Sequence, residues 1–179
     1  LLKEKYNLSK DSYLIGSFQR DTEGADLVSP KLSKGPDRLL QILKAKKETI
    51  SNMEIILTGR RRNYLINEFK KIGMRYKYFE MVNTKQLNEL YNTLDLYIVS
   101  SRVEGGPRSL FECAVTKTPI ISTDVGFASE LLHPSSIYNM KNFQKALPNI
   151  DYAYRNVQQY MLPMGLKSFD SLFRDLYEN

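Results

Sequence analysis

Short, uninterrupted apolar runs, each followed by a segment with helical spacing, constrain the fold of this chain more than any other feature. The runs cover residues 13–18, 53–58, 76–79, 95–100 and 119–123. They are continuous rather than alternating, which is typical of strands covered on both faces in a parallel sheet. Strands that alternate with helices predict an α/β domain with a doubly wound parallel sheet, Rossmann-like, and right-handed crossovers.

Helical spacing is clearest in two places. One apolar stripe lies before the fourth run and consists of Leu87, Leu90, Tyr91 and Leu94. The other lies near the end of the chain and consists of Leu166, Phe169, Leu172, Phe173 and Leu176. Residues spaced at i, i+3, i+4 and i+7 share one face of a helix. A further short strand is expected at residues 136–138. No linker divides the chain, so we predict a single domain over residues 1–179.

Composition excludes several classes of site. The chain has 179 residues, one cysteine, Cys113, and one histidine, His133. A disulfide framework, a thiolate metal cluster and a multi-histidine zinc site are therefore excluded. No apolar run reaches the roughly 18 residues that a membrane span needs. The chain begins at Leu1, which leads us to interpret it as a fragment of a longer protein.

An excess of basic residues favours an anionic partner. The chain carries 26 Lys and Arg against 20 Asp and Glu, for a net charge of +6. Nucleic acid, anionic lipid and phosphorylated small molecules all fit such a charge. The run Arg60, Arg61 and Arg62 could form a nucleic-acid patch, but it has no interleaved aromatic residues. We therefore expect one of these arginines to contact a small anion and the other two to be solvated.

The loop after the fourth run carries the strongest chemical signal. Gly105 and Gly106 allow a sharp turn and a close approach to a ligand. Pro107 suits the first turn of a helix that begins at about Arg108. The free amides of that helix, at Arg108, Ser109 and Leu110, would face the crevice at the carboxyl ends of the strands and could bind a phosphate. The alternative is a tight turn with no ligand.

Two carboxylates frame this loop, Glu104 before the glycines and Glu112 eight residues later. Carboxylates repel phosphates, so they are better suited to accept hydrogen bonds from sugar hydroxyls nearby. Alternatively, Glu104 caps the helix and Glu112 is a solvated surface charge.

Basic residues occur in a long polar loop at residues 19–34, which follows the first run. Loops of this length in compact domains are usually functional or mobile. Arg20 follows the strand closely and could reach the crevice. Lys34 precedes a helix start at Gly35, where the helix dipole disfavours a cation unless an anion lies between them. This mismatch indicates a functional lysine, although a solvated one explains it as well.

Together these residues resemble the C-terminal, donor-binding domain of a GT-B glycosyltransferase, specifically glycosyltransferase family 4 (the group 1 glycosyltransferases). The resemblance rests on the E-x7-E motif EGGPRSLFE and its continuation ECAVTKTPIISTDVGFASELL. The segments YNTLDLYIVSS and SKGPDRLLQIL also fit. It covers roughly residues 13–132 in order and spacing, and its first loop departs from the family by being expanded, which weakens the assignment of Arg20.

The resemblance implies a role for each matching residue. Glu104 would contact the donor sugar, Glu112 the ribose, and Arg20 and Lys34 the leaving diphosphate. The remaining predicted contacts with the nucleotide are Gly105, Gly106, Pro107, Arg108, Ser109, Leu110, Gly59, Arg60, Met81 and Val82. Glu104, Arg20 and Lys34 are the predicted catalytic residues.

The reaction that this resemblance implies is transfer of a hexosyl-type sugar from a nucleotide-diphosphate donor to an acceptor hydroxyl. It would retain the anomeric configuration and need no metal or other cofactor. The acceptor, a sugar, a lipid or another hydroxyl compound, would bind mainly to an N-terminal domain that is absent here, so this chain alone would bind nucleotide weakly and transfer nothing. The pathway would be polysaccharide or glycoconjugate biosynthesis. We expect a cytoplasmic location, with peripheral association at the inner face of the membrane as the alternative, and no nucleic-acid partner.

Two other functions remain open. The chain could be a non-catalytic nucleotide-sugar-binding module, or part of another GT-B enzyme such as a nucleotide-sugar epimerase. A glycoside hydrolase that uses Glu104 and Glu112 as an acid and base pair is disfavoured. Such pairs flank a sugar cleft, whereas these flank a turn suited to phosphate.

Overall fold

The computed structural model describes residues 1–177, apart from the side chain of Ser168. Six strands form one sheet in this part of the chain. They are β1 (Tyr13–Ser17), β2 (Met53–Thr58), β3 (Tyr76–Phe79), β4 (Leu96–Val99), β5 (Ile120–Thr123) and β6 (Ile137–Tyr138). Each of the five apolar runs contains one of the first five strands, and β6 is the short strand expected near residue 137.

The sheet has the strand order β3-β2-β1-β4-β5-β6, and every neighbouring pair is parallel. The chain builds outward from β1 to β3 and then returns to place β4 on the other side of β1. The doubly wound Rossmann-like prediction is therefore confirmed. In such sheets the order reverses between the two central strands, here β1 and β4, and ligands bind beyond their carboxyl ends.

Helices follow the strands on both faces. They are α1 (Leu2–Lys5), α2 (Pro36–Lys47), α3 (Asn63–Lys71), α4 (Thr84–Tyr91), α5 (Arg108–Thr116), α6 (Ala128–Leu131), α7 (Ile150–Val157) and α8 (Met164–Tyr177). Short 3-10 turns occur at Leu32–Lys34, Pro134–Ser136, Phe143–Lys145 and Gln158–Tyr160.

Burial on both faces explains why the strand runs are continuous. Leu14 and Tyr97 belong to one core cluster, and their chain neighbours Ile15 and Ile98 belong to the cluster on the opposite face. Because successive side chains of a strand point to opposite faces, apolar residues at neighbouring positions of one strand fill both cores.

The last helix, α8, behaves differently from the others. Its apolar stripe is present as predicted, but its side chains remain exposed, and these are Leu166, Phe169, Leu172, Phe173 and Leu176. The stripe is therefore not part of either core. No helix within residues 1–177 combines the length and the apolar character needed to cross a membrane.

Candidate functional site

A cavity of about 560 Å³ opens at the carboxyl ends of the central strands. Its walls come from the segments that follow β1, β2, β3 and β4, and from α4 and the start of α5. The lining residues are Phe18, Gln19, Thr58, Gly59, Glu80, Met81, Val82, Leu87, Tyr91, Tyr97, Glu104, Gly106, Pro107, Arg108, Ser109 and Glu112. The glycine turn after β4 is therefore open to a cavity, and both glutamates of the motif line it. A cavity of this size is in the range of small-molecule sites.

Most of the residues predicted from the sequence come together here. Nine of them line the cavity: Glu104, Glu112, Gly106, Pro107, Arg108, Ser109, Gly59, Met81 and Val82. Five do not: Arg20, Lys34, Gly105, Leu110 and Arg60. Each of these five has a position that explains its absence from the wall.

The glycine turn ends at a helix start, as the sequence predicts. Helix α5 begins at Arg108, but Pro107 has an extended conformation and is the N-cap rather than a first-turn residue. The amide of Leu110 donates to the carbonyl of Pro107 at 3.0 Å, and the Leu110 side chain is buried in the core. The amides of Arg108 and Ser109, at the very start of α5, are therefore the ones placed to meet an anion.

A second turn supports the glycine turn from behind. A Cβ atom placed on Gly126 would lie 2.7 Å from the carbonyl oxygen of Gly105 and 2.8 Å from the Cα atom of Gly106. The segment after β5 therefore packs directly on the backbone of the turn. This contact accounts for Gly105, whose carbonyl faces Gly126 rather than the cavity.

Lys34 and Glu104 form an ion pair beside the cavity. The Lys34 ammonium contacts the Glu104 carboxylate, and both side chains are largely buried, with 24% and 15% of their surface exposed. The Ser101 hydroxyl donates to the other oxygen of Glu104 at 2.6 Å. The anion that Lys34 contacts here is therefore Glu104, a residue of the motif itself. Lys34 does not line the wall because Glu104 covers its ammonium.

The backbone of Lys34 is fixed as well. Its carbonyl accepts hydrogen bonds from the Gln19 amide at 2.9 Å and from the Ser100 hydroxyl at 3.3 Å. The next residue, Gly35, has a φ of 61°, and a Cβ atom there would lie 1.9 Å from the carbonyl oxygen of Ser100. A glycine is needed here because α2 begins in direct contact with the end of β4.

Replacing Gly35 with alanine should lower the free energy of unfolding by about 2–3 kcal/mol, through the strain of a positive φ and the collision with Ser100. Gly73 is a matched control, since its φ is 58° and no heavy atom lies within 4 Å of an added Cβ atom. Gly73→Ala should cost only about 1 kcal/mol. Urea denaturation of both variants checks the difference, and equal losses would contradict the collision.

The basic residues of the first two loops do not occupy the positions predicted for them. Arg20 is exposed, and its Nε donates to the carbonyl of Thr22 at 2.9 Å rather than facing the cavity. Arg60 is exposed next to Gly59, outside the wall, and Arg61 donates to the carbonyl of Gly24 at 3.3 Å. Arg60 and Arg61 are not buried, in line with two solvated arginines, but the third, Arg62, is completely buried and pairs with Asp21 rather than with a small anion.

Arg62 ties the long first loop to the sheet. Its Nε donates to Asp21 at 2.6 Å, and its Nη1 donates to the carbonyls of Ser17 at 2.5 Å and Thr58 at 2.8 Å. Asp21 is also buried, with 2% of its side-chain surface exposed. No pattern in the sequence indicates this pair, because the partners lie 41 positions apart and Arg62 follows two arginines that are not buried.

Two tyrosines that the sequence analysis did not predict as site residues, Tyr91 and Tyr97, line the cavity. The Tyr91 hydroxyl donates to Glu112 at 2.7 Å, and the Tyr97 hydroxyl accepts from the amide of Phe18 at 2.9 Å. Burial raises the pKa of both phenols, so both stay protonated. Burial also raises the pKa of the Cys113 thiol, which is packed in the core. A tyrosine within an apolar stripe is a usable signal, since its hydroxyl needs a partner when buried.

Within residues 1–177, no group of three or more histidine, cysteine, aspartate or glutamate side chains is arranged to hold a metal ion. Transfer without a metal stays a prediction.

Comparison with solved structures identifies the class of fold. Sucrose-phosphate synthase from Thermosynechococcus elongatus matches with a TM-score of 0.75 at 15% identity, over 99% of this chain and 48% of that chain. A glycosyltransferase from Rickettsia africae matches with a TM-score of 0.72 at 19% identity, over 99% and 51%. Anabaena HepE, solved in complex with UDP-glucose, matches with a TM-score of 0.72 at 16% identity, over 97% and 51%. The chain thus has the Rossmann-like fold of one half of a GT-B glycosyltransferase, and it spans about half the length of these structures.

The family follows from the sequence. Residues 29–151, well over half of the chain, match the family model described as glycosyl transferases group 1. The chain therefore belongs to the group 1 glycosyl transferases, and the C-terminal domain of such an enzyme is the part that it resembles. No curated protein sequence matches it significantly.

Proposed function

We propose that this chain binds the nucleoside diphosphate part of a nucleotide-sugar donor in the cavity of about 560 Å³ at the carboxyl ends of the central strands. The observation that carries the proposal is that one cavity is lined by both glutamates of the motif and by the start of α5. The complex of HepE with UDP-glucose supports it, because a protein of the same fold binds a donor of this chemical class.

Each part of the cavity suits one part of such a donor. The N-terminal end of α5 carries a partial positive charge and the amides of Arg108 and Ser109, which suit a diphosphate. The Glu112 carboxylate lies one helical turn further along and can accept hydrogen bonds from ribose hydroxyls. Met81 and Val82 give the cavity an apolar wall for a base. Glu104, at the other side of the turn, can accept hydrogen bonds from the sugar.

For the longer protein we propose transfer of the sugar to an acceptor hydroxyl, with retention of configuration and without a metal ion. The difficult event is departure of the nucleoside diphosphate, because negative charge grows on its terminal phosphate. Lys34 and the start of α5 supply fixed positive charge on that side. Arg20 has no part in this proposal as placed here, since its side chain turns back onto Thr22. The acceptor would bind mainly to a domain outside this chain.

Titration of the 179-residue chain with UDP, GDP and ADP, followed by calorimetry or NMR, tests the binding step. We expect one of the three to bind with a Kd of roughly micromolar to millimolar. Glu112→Gln should weaken that nucleotide about tenfold, since a hydrogen bond to a charged group is lost.

Glu89 provides the matched control for this substitution. Its carboxylate also accepts a hydrogen bond from a tyrosine hydroxyl, that of Tyr6 at 2.5 Å, but it lies outside the cavity. Glu89→Gln should leave the nucleotide affinity unchanged. No binding of any of the three nucleotides, or equal losses in both variants, would contradict the proposed function.

A further inference from the structure

Tyr91 is placed to control the orientation of Glu112. It is the last residue of α4, and its hydroxyl donates to Oε2 of Glu112 at 2.7 Å. Its side chain is buried, with 3% of the residue surface exposed. Within residues 1–177 this hydroxyl is the one hydrogen-bond partner of the Glu112 carboxylate. One carboxylate oxygen is therefore engaged, and the other is free to accept from a ligand.

The position of Tyr91 does not depend on Glu112. Its ring packs against Phe18 and Tyr97, with centroid distances of 4.8 Å and 5.5 Å. Its backbone carbonyl accepts a hydrogen bond from the Thr118 hydroxyl at 3.0 Å. Both ends of the residue are held by groups other than the carboxylate, so the hydroxyl is a fixed point to which Glu112 is attached.

The protonation state of Tyr91 supports this arrangement. Burial is the main cause that raises its pKa, and the neighbouring Tyr97, Cys113 and Glu112 raise it further. The phenol therefore stays protonated and can only donate to the carboxylate. A hydrogen bond from a neutral donor to an ionised acceptor is short and strong, so the Tyr91 hydroxyl is a firm attachment for the Glu112 carboxylate.

A second cavity explains why such a fixed point matters. An apolar groove of about 280 Å³ lies between α4 and α5, and its walls include Phe111 and Val115. Leu87, Tyr91 and Glu112 line both this groove and the larger cavity. The Glu112 side chain thus stands at a boundary, and the Tyr91 hydroxyl keeps its carboxylate from turning along the groove.

We propose that Tyr91 is a positioning residue for nucleotide recognition. It anchors one oxygen of Glu112 so that the other meets the 2′- and 3′-hydroxyls of the ribose. This inference rests on the proposed function, which assigns the ribose to Glu112.

The test compares ribose-dependent binding in Tyr91→Phe and in a matched control. Tyr138→Phe serves as the control, since Tyr138 is also 3% exposed and its hydroxyl donates to the carbonyl of Val99 at 2.8 Å, outside the cavity. Each variant is titrated with the tightest of UDP, GDP and ADP, and with the 2′,3′-dideoxy form of that nucleotide. Thermal melting verifies that both variants fold.

We expect Tyr91→Phe to weaken binding of the ribonucleotide about fivefold and to leave binding of the dideoxy form unchanged. The ratio of the two affinities therefore falls. Tyr138→Phe should keep the preference of the unmodified chain. If the ratio of the two Kd values in Tyr91→Phe equals that of the unmodified chain, the inference is overturned while the proposed function stands. The same holds if both nucleotides lose affinity by the same factor. If the unmodified chain itself does not distinguish the two nucleotides, the assignment of ribose to Glu112 fails and the inference fails with it.

Discussion

Replacing Lys34 with alanine is expected to slow sugar transfer by about 100-fold in the longer protein, equivalent to about 3 kcal/mol of transition-state stabilisation. The reason is that the Lys34 ammonium is held next to the site by a fixed backbone and by its ion pair with Glu104, which lines the cavity. We expect this ammonium to pass from Glu104 to the diphosphate when a donor binds and to stabilise the charge that grows on the leaving group. The measurement is kcat for donor turnover at saturating donor, with and without a chelator, which should make no difference.

Lys31 is a suitable control because it lies in the same loop, whereas the ammonium that pairs with Glu104 is that of Lys34. Lys31→Ala should keep the unmodified rate. An unchanged kcat in Lys34→Ala would refute the proposed role of this lysine. Melting temperatures of both variants separate a loss of chemistry from a loss of folding, since removal of Lys34 also leaves Glu104 without its cation.

Removing the carboxylate of Asp21 is expected to lower the free energy of unfolding by about 3–5 kcal/mol. Arg62 is 0% exposed, and Asp21 is the carboxylate that neutralises it. In Asp21→Ala the guanidinium stays buried with two backbone carbonyls but without a counter-ion. The loop that carries Gln19 and Lys34 is attached to the sheet through this pair, so nucleotide binding should weaken as well.

Asp37→Ala is the control for a salt bridge of the same chemistry. Asp37 pairs with Arg102 through two hydrogen bonds, of 2.7 Å and 2.6 Å, and about a third of each side chain is exposed. Loss of this ion pair in Asp37→Ala should lower the free energy of unfolding by no more than about 1 kcal/mol. Urea denaturation of both variants gives the comparison, and a similar loss in both would show that burial of Arg62 does not make its pair more costly to break.

The arrangement of the sheet could be predicted from the sequence because it depends on local pattern. In β2 and β5 apolar residues occupy successive positions, Ile55–Leu57 and Ile120–Ile121, since both faces of these strands are covered, and the limits of both strands agree with the runs to within one residue. The glycine turn and its two glutamates could also be predicted from the sequence. They follow a strand directly, and the place where parallel strands end is fixed by the topology.

The contacts that hold the site could not be predicted in this way because they join distant segments. The burial of Arg62 depends on Asp21, in a loop whose path the sequence does not specify. The pairing of Lys34 with Glu104 joins residues 70 positions apart. Tyr91 belongs to an apolar helical stripe, and the stripe does not indicate that its hydroxyl bonds to Glu112. In each pair the sequence shows a charged or polar side chain that needs a partner, but only the fold shows which residue that partner is.

The pairing of Lys34 with Glu104 has a consequence for selectivity. Each side chain is the counter-ion of the other, so a ligand that engages only one of them leaves the opposite charge unpaired in a largely buried position. Pyrophosphate that displaced Glu104 would leave this carboxylate without its cation, and a free sugar that displaced Lys34 would leave the ammonium without its anion. Under the proposed function, a donor that carries both groups on one molecule lets both side chains exchange partners together, so we expect the intact donor to be favoured over its fragments.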